Sequence, residues 1–411
     1  MKKILVLAGK PIGSVEIVQK AKNLGLHTIV TDFLSPSDSP AKLYADESWN
    51  ISTHEIELLT NKCLKENVSY ITTGVHEFNI NRMLDLTERL SLPCYCKRDT
   101  WKYCDNKMLF KQLCKKNSIP TAKTYKIEDT NISYPVITKP VDGSGSRGFH
   151  ICRNYTELLL SYEDAKKHSP SNSVLIEEYI PYNAVIIHYT MVNGKCYYSG
   201  MSDKISVAFK NTGSSVMGIQ TFPSIGEEEY LTTLNENVQK MFEEAGFTDG
   251  PIWIEAFYDQ KKSFIFNEMG YRFGGSLTYY PVRYFYGIDQ LDLYIKSCLG
   301  IANEHIHVTR KNNLKNYCIL PIHIKSGNIN SIEGIDNLSQ REDFYAIAQV
   351  HFEGDKIEDW GSAQQVFCYI HVLYDSIDSL KKVIRAVLNT LHAKDEDDID
   401  MLYPLFDINT L

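Results

Sequence analysis

The chain has 411 residues, more than one hydrophobic core usually holds, and its ordinary globular composition indicates two or three domains. It carries 43 Lys and Arg against 51 Asp and Glu, a net charge of -8. Because no basic stripe is interleaved with aromatic residues, we expect no nucleic-acid partner. No apolar run approaches the roughly 20 residues that span a bilayer, so we expect no membrane partner either.

The first elements of the chain indicate a parallel α/β unit. Residues 3–8 (KILVLA) form a short apolar run that ends at Gly9 and Lys10, which predicts a buried strand and not a signal peptide. A glycine turn, the helical pattern SVEIVQKAKNLG and the strand HTIVTDF follow, and the pattern repeats more weakly afterwards. We therefore predict a Rossmann-like, mostly parallel domain over residues 1–103.

The middle of the chain mixes helices with antiparallel strands. After the helix DNKMLFKQLCKKN come the strands YPVITKPV, FHICR and SVLIEEYI, and then a long β-rich region with an Asn193-Gly194 hairpin signal. A single helix over EEEYLTTLNENVQKMFEEAG precedes the strands GPIWIEAFYD and SFIFNEMGY. This pattern predicts a central α+β domain over residues 104–302 and a C-terminal α+β domain over residues 303–411.

The loop GSGSRG contains Gly143, Gly145 and Gly148 in the spacing of a dinucleotide fingerprint. That fingerprint opens a helix, whereas this loop leads into a strand, and no Walker lysine follows it. We interpret the loop as a hairpin flap whose backbone N–H groups bind phosphates, with Lys139 on the preceding strand. A flexible surface hairpin is the alternative.

Two carboxylates lie among apolar neighbours on adjacent predicted strands. Glu255 and Glu268 would be costly to bury unpaired, so we predict that Mg²⁺ with nucleotide phosphates compensates both. The alternative is a solvent-facing hairpin. Arg272, four residues further on, would neutralise a phosphoryl group or bind a substrate carboxylate; a surface ion pair is its alternative.

In their order and spacing these motifs resemble the ATP-grasp superfamily. The resemblance is to its carboxylate-amine ligases, which include D-alanine:D-alanine ligase, biotin carboxylase, carbamoyl-phosphate synthetase and L-amino acid ligases. The resemblance implies an N-terminal Rossmann-like domain, a central ATP-binding domain with the glycine-rich flap, and a C-terminal domain. It implies ATP and Mg²⁺ (or Mn²⁺) as cofactors, with Glu255 and Glu268 as metal ligands and with Arg272 and Lys139 as catalytic groups.

The resemblance also implies where the nucleotide binds. The phosphates would contact Lys107 and Lys139 together with the flap, and the adenine would contact backbone groups of a hinge. The residues of the flap and the hinge are Gly143, Ser144, Gly145, Gly148, Glu177, Glu178, Tyr179 and Ile180.

Two positions depart from the family pattern. Gly270 stands where the family usually has an asparagine that ligates metal, and Ala184, beside Asn183, stands where many relatives have a ribose-binding glutamate. The first departure leaves open how a second metal ion is held. The second leaves open whether Asn183 or Glu178 holds the ribose or whether the ribose is bound less tightly.

The reaction implied by the resemblance joins a small-molecule carboxylate to an amine through an acylphosphate, with release of ADP and phosphate. We expect a cytoplasmic enzyme with reduced cysteines, because the ten cysteines form no C-x-x-C pair; the resemblance leaves room for a homodimer. The alternatives are a catalytically degenerate ATP-binding protein and a nicotinamide oxidoreductase built on LAGKPIGS.

Three further features carry weaker hypotheses. Glu77, after a parallel strand, would hold a substrate ammonium or simply favour the N-terminus of its helix. Lys204 would reach a phosphate, although we expect a solvated hairpin lysine. For the tyrosine-rich stretch over residues 279–286 we expect core packing.

Overall fold

The computed structural model describes residues 1–142, 147–210, 212, 214–261 and 263–411. Its N-terminal part is a four-stranded parallel sheet with the strand order β3-β2-β1-β4. Strand β1 is buried along almost its whole length because helices cover both faces of such a sheet. The elements are β1 (Lys3–Leu7), α1 (Ser14–Asn23), β2 (His27–Thr31), α2 (Pro40–Tyr44), β3 (Glu47–Trp49), α3 (Ile56–Lys65), β4 (Val68–Thr73) and α4 (Glu77–Leu90).

The turn after β1 is closed by Asp32, at the end of β2. The Asp32 carboxylate accepts hydrogen bonds from the backbone N–H groups of Gly9 and Leu34 and from the Ser39 hydroxyl, and it pairs with the buried Lys42 ammonium at 2.8 Å. These contacts use the roughly four acceptor sites of a carboxylate, so none is left for a ribose hydroxyl. The structure therefore gives no support to the oxidoreductase alternative.

A small antiparallel sheet, which we call the lid, has the order β5-β8-β6-β7 and its own core. Antiparallel pairing of β6 with β7, with Val136 opposite Cys152, confirms the predicted hairpin around the glycine loop. Gly143, Ser144 and Gly145 lie outside the described residues, whereas Gly148 has the positive φ of 69° that favours glycine. The elements are α5 (Arg98–Asp105), α6 (Lys107–Lys116), β5 (Thr124–Tyr125), β6 (Val136–Pro140), β7 (His150–Cys152), α7 (Tyr155–Lys167) and β8 (Val174–Glu178).

The central sheet begins with the order β13-β12-β9-β10-β11. Asn193 and Gly194 both have positive φ in the β9–β10 turn, as the hairpin signal predicts. The prediction of a single helix before β12 is wrong. The segment forms two helices separated by Leu234, whose φ of -126° is not helical. The elements are β9 (Ala184–Val192), β10 (Lys195–Ala208), β11 (Ser215–Phe222), α8 (Glu227–Thr233), α9 (Asn235–Glu244), β12 (Gly250–Tyr258), β13 (Phe264–Gly270), α10 (Tyr279–Tyr286) and α11 (Gln290–Cys298).

The central sheet continues into the C-terminal residues, because β11 pairs with β14 and β14 with β19. A second hydrophobic core lies on that side, under α13. The elements are β14 (Asn316–Ile324), β15 (Gly327–Asn328), β16 (Ser331–Glu333), α12 (Ile335–Ser339), β17 (Phe344–Gln349), β18 (Lys356–Ile357), β19 (Val366–Tyr374), α13 (Ile377–Thr390), β20 (His392–Lys394) and β21 (Leu402–Tyr403). The domain limits at residues 103 and 302 stay a prediction. Among the described residues, no helix is both long and apolar enough to span a membrane.

Candidate active site

The β12–β13 hairpin places the two predicted metal ligands opposite each other. Glu255 and Glu268 are direct partners in the antiparallel register, and residues so paired have their side chains on one face of the sheet. Both are partly buried, between core residues of their strands. The pairing on neighbouring strands that the sequence predicts is therefore present in the structure.

Glu255 is held by a lysine and an amide. The Lys204 ammonium lies 2.6 Å from one carboxylate oxygen, and Asn267 Nδ2 donates a 2.8 Å hydrogen bond to the other. Burial raises the pKa of Glu255 most strongly, but Lys204 and Asn267 outweigh it, so the pKa lies below its ordinary value. The pKa of Lys204 lies above its ordinary value because Glu255 outweighs the opposing effect of burial. Lys204 is thus part of the site, and the expectation of a solvated lysine is wrong.

Lys139, on β6 of the lid, reaches the β12–β13 hairpin. Its ammonium is 2.7 Å from Glu177 Oε2 and donates a 2.7 Å hydrogen bond to Asn267 Oδ1. Glu177 also pairs with Lys111, on α6, at 2.5 Å. The chain of contacts Lys111–Glu177–Lys139–Asn267–Glu255 therefore runs from α6 through the lid to the hairpin.

Two residues in this series of contacts, Glu177 and Lys111, are almost fully buried. The side chain of Glu177 is 1% exposed and that of Lys111 is 4% exposed. Burial raises the pKa of Glu177, but Lys139 and Lys111 outweigh it and hold the pKa below its ordinary value. For Lys111 burial prevails over Glu177, so the pKa lies below its ordinary value. The pairing stabilises the charged forms of both groups, since a lone buried charge is costly.

Several groups of the predicted adenine-binding hinge already have partners within the protein. The Glu177 side chain is committed to the two lysines, and the N–H groups of Glu178 and Tyr179 donate to the carbonyls of Lys123 and Pro135. Adenine contacts would have to come from other backbone groups of the segment ending at Ile180. The adenine-binding role of these residues stays a prediction.

Lys107 begins α6 beside the start of the glycine loop. Its N–H donates to the Val141 carbonyl at 3.1 Å, and Asn106 caps the helix through its side chain. Asp105, just before it, has a pKa above its ordinary value, mainly because of burial. The structure thus places the start of α6 beside Val141, which precedes the glycine loop in sequence, and the phosphate-binding role of Lys107 stays a prediction.

Arg272 joins β13 to the N-terminal domain. Its Nη2 donates a 2.8 Å hydrogen bond to Glu77 Oε1, and its guanidinium lies 5.1 Å from the centroid of the Trp253 ring. The Arg272 side chain is only 16% exposed, so its pair with Glu77 is not the surface ion pair of the alternative prediction. Burial, followed by the charge of Arg272, lowers the pKa of the neighbouring His76.

The structure explains one of the two departures from the family pattern. A Cβ on Gly270 would overlap the Trp253 indole ring, so no side chain fits at this position. The second departure still leaves open which residue holds the ribose. Ala184 is buried, Asn183 is exposed, and Glu178 accepts a hydrogen bond from the Lys123 N–H.

Lys111, Asn267 and Lys204 are the residues that sequence reasoning missed or placed outside the site. Lys111 follows the buried Phe110 on a largely apolar helix face, a signal for a paired lysine. Asn267 precedes Glu268 where the strand's alternation of buried and open positions breaks. Among the described residues, no group of three His, Cys, Asp or Glu side chains is arranged to hold a metal. Two carboxylates nevertheless suit Mg²⁺, which usually takes one or two plus phosphates and water.

Comparison with known proteins agrees with this architecture. A family model described as the ATP-grasp domain matches residues 132–279. Those residues form an ATP-grasp domain, and the fold of the chain is the ATP-grasp fold that the sequence resemblance predicts.

The individual relatives are distant. A formate-dependent phosphoribosylglycinamide formyltransferase of Wolinella succinogenes is 27% identical over 203 residues, 47% of this chain and 51% of that protein. Its namesake in Bacillus subtilis is 25% identical over 209 residues, 48% of this chain and 53% of that protein. The chain spans about half the length of the curated relatives it matches.

Two solved structures have similar folds over nearly the whole chain. The L-amino acid ligase of Bacillus licheniformis has a TM-score of 0.76 at 18% identity and covers 96% of this chain and 99% of its own. The biotin carboxylase of Campylobacter jejuni, in complex with β,γ-ATP, has a TM-score of 0.78 at 17% identity and covers 96% and 92%. At these identities the likeness shows a shared fold.

Proposed function

We propose that this chain is an ATP-dependent ligase that joins a carboxylate to an amine. The observation that carries the proposal is the placement of the Lys139 ammonium, linked through Asn267 to the carboxylate that faces Glu268 across the hairpin. Cationic and anionic groups held side by side are what a metal-bound triphosphate needs: the lysine for phosphate oxygens and the carboxylates for the metal.

The nucleotide would lie between the lid and the hairpin. Glu255 and Glu268 would hold Mg²⁺ (or Mn²⁺), which when bound neutralises phosphate oxygens and orients the triphosphate. Lys139, and Lys107 at the flap, would bind phosphate oxygens. Glu177, buried behind Lys139, keeps that ammonium aimed at the site.

The reaction would have two steps. An oxygen of the substrate carboxylate attacks the γ-phosphorus of ATP, the bond to the β,γ-bridging oxygen breaks, and ADP leaves with that electron pair. The amine nitrogen then attacks the acyl carbon of the acylphosphate, the bond from that carbon to the phosphate oxygen breaks, and phosphate leaves with the proton that the nitrogen loses. Lys139 and Arg272 would offset the negative charge that develops in these steps.

The Arg272–Glu77 pair favours an amino acid as one substrate. A guanidinium binds a carboxylate through two parallel hydrogen bonds, and the Glu77 carboxylate, 31% exposed, is open enough to accept an ammonium. An amino acid would satisfy both partners of the pair with its own two charges.

An assay of ADP release tests the proposal. Purified protein is incubated with ATP, Mg²⁺ and pooled amino acids, and the products are identified by mass spectrometry. Because the curated relatives are named for formate and phosphoribosylglycinamide, both compounds join the screen. We expect turnover only when an acid and an amine are present together, and Glu268→Gln should abolish it without loss of folded structure.

The matched control is Glu333→Gln, a half-exposed carboxylate paired with Lys394 in the C-terminal region. It should leave turnover unchanged. If the wild-type protein binds ATP but forms no product from any pair of acid and amine in the screen, the proposed ligase activity is contradicted. That result would favour the second candidate, an ATP-binding protein that has lost catalysis, for which Gly270 and Ala184 argue.

We also propose that the enzyme is cytoplasmic and that it forms a homodimer, as does the biotin carboxylase domain of Hydrogenobacter thermophilus, whose fold is similar. The free thiols of all ten cysteines agree with a reducing compartment. Cell fractionation with an antibody against the chain tests the location, and sedimentation equilibrium tests the assembly. A secreted pool or a strictly monomeric species would contradict the respective proposal.

A further inference from the structure

Strand β13 contains one residue more than the part of β12 it pairs with. Glu255 lies opposite Glu268, but the next residue of β12, Ala256, lies opposite Phe266, so Asn267 is the extra residue of a β-bulge. In a regular strand Asn267 and Glu268 would point to opposite faces. Here both are partly open between the buried Phe266 and Met269, so the bulge brings the Asn267 amide to the face that carries Glu268.

The Asn267 amide bonds to a cation at one end and to an anion at the other. Its Oδ1 accepts from Lys139 Nζ at 2.7 Å, and its Nδ2 donates to Glu255 Oε1 at 2.8 Å. An ammonium can only donate and a carboxylate can only accept. A side chain that bonds to both must therefore present an acceptor and a donor, and the two neighbours fix the orientation of this amide.

No side chain at position 270 can take over this role. The Trp253 indole occupies the space that a Cβ on Gly270 would need, and the same ring supports the Arg272 guanidinium. Gly270 and Trp253 thus belong together, and the amide at this site comes from the bulge instead. The bulge supplies it three positions earlier in the strand.

We propose that Asn267 is the positioning residue that couples the phosphate-binding Lys139 to the metal-binding Glu255. The inference rests on the proposed function. With the amide in place, the spacing between ammonium and carboxylate is set before any nucleotide binds. Phosphate and metal then meet partners that are already aligned, which lowers the ordering cost of binding.

Two substitutions of similar size separate the two ends of the amide. Asn267→Leu removes both hydrogen bonds. Asn267→Asp keeps an oxygen for Lys139 but adds negative charge next to Glu255 and the place of the phosphates. The matched control is Asn235→Leu, which removes another partly buried amide that bonds to Tyr189 and Gln239 away from the site.

The probes are ADP in the presence of EDTA, measured by calorimetry, and Mn²⁺ without nucleotide, measured by electron paramagnetic resonance. For Asn267→Leu we expect both affinities to fall about tenfold, the effect of losing a hydrogen bond to a charged group. For Asn267→Asp we expect opposite signs: weaker ADP, because of the added charge, and tighter Mn²⁺, because a third carboxylate joins the site. Asn235→Leu should change neither.

The opposite signs distinguish coupling from a packing role, which would move the melting temperature but neither dissociation constant. The inference is overturned if the Leu and Asp variants keep both affinities within about twofold of wild type, or if both variants shift the Mn²⁺ affinity in the same direction. A wild-type protein that binds neither ADP nor Mn²⁺ would instead refute the proposed function itself.

Discussion

Glu177 is a buried carboxylate that pairs with two buried lysines, so Glu177→Gln gives a sharp test of the site. The carboxylate lies 2.5 Å from Lys111 and 2.7 Å from Lys139. At such a separation and an effective dielectric constant of about 20, Coulomb's law gives roughly 6 kcal/mol per pair. Much of this only offsets the cost of taking the three charges out of water, and breaking a buried pair typically costs about 3–5 kcal/mol.

The lysines keep part of their surroundings in the variant. Lys139 retains the Asn267 oxygen at 2.7 Å, and Lys111 retains the Phe266 carbonyl at 3.5 Å. We therefore expect the lower end of the range, a loss of about 3 kcal/mol in the free energy of unfolding near pH 7. Urea unfolding followed by circular dichroism measures it. Adding Lys111→Met should restore much of the loss, because an apolar side chain needs no counter-charge.

The loss should also depend on pH. The pKa of Lys111 already lies below its ordinary value, chiefly through burial, and without Glu177 it should fall further. A lysine with a lowered folded-state pKa leaves the unfolded chain with more bound protons, so stability rises with pH between the folded and unfolded pKa values. Glu177→Gln should thus be most destabilising near pH 6 and less so near pH 9.

A loss below about 1 kcal/mol, or one that is the same at both pH values, would refute this account of the buried cluster. The control is Glu333→Gln, which removes the carboxylate of a more exposed Glu–Lys pair. It should measurably change neither the free energy of unfolding nor its dependence on pH.

Two other predictions concern the wall of the site. Gly270→Ala forces a methyl group into the Trp253 ring, so we expect a loss of about 2 kcal/mol in urea unfolding, and no loss would show that the indole moves aside freely. Arg272→Lys keeps the charge but loses the flat contact with Trp253 and the fork that reaches Glu77. The KM for the carboxylate substrate should rise about tenfold with little change in melting temperature; an unchanged KM would remove Arg272 from substrate binding.

The arrangement of motifs along the chain was predictable because it rests on local rules. The apolar neighbours of Glu255 and Glu268 predicted that both lie on adjacent strands, and the register confirms this hairpin. Glycine spacing before a strand predicted the lid hairpin, which the β6–β7 pairing confirms. Each of these features depends on residues close together in sequence, where turn chemistry and side-chain period decide the structure.

The contacts that turn these motifs into a site were decided by the tertiary structure. Lys139 and Asn267 are 128 positions apart, and Arg272 and Glu77 are 195 positions apart. No local pattern encodes which distant charge a buried lysine meets, or that a bulge turns the Asn267 amide inward. The sequence by itself determined the fold and the types of groups available; packing chose their partners, because burying a charge is tolerable only where the fold brings an opposite charge or a hydrogen bond to it.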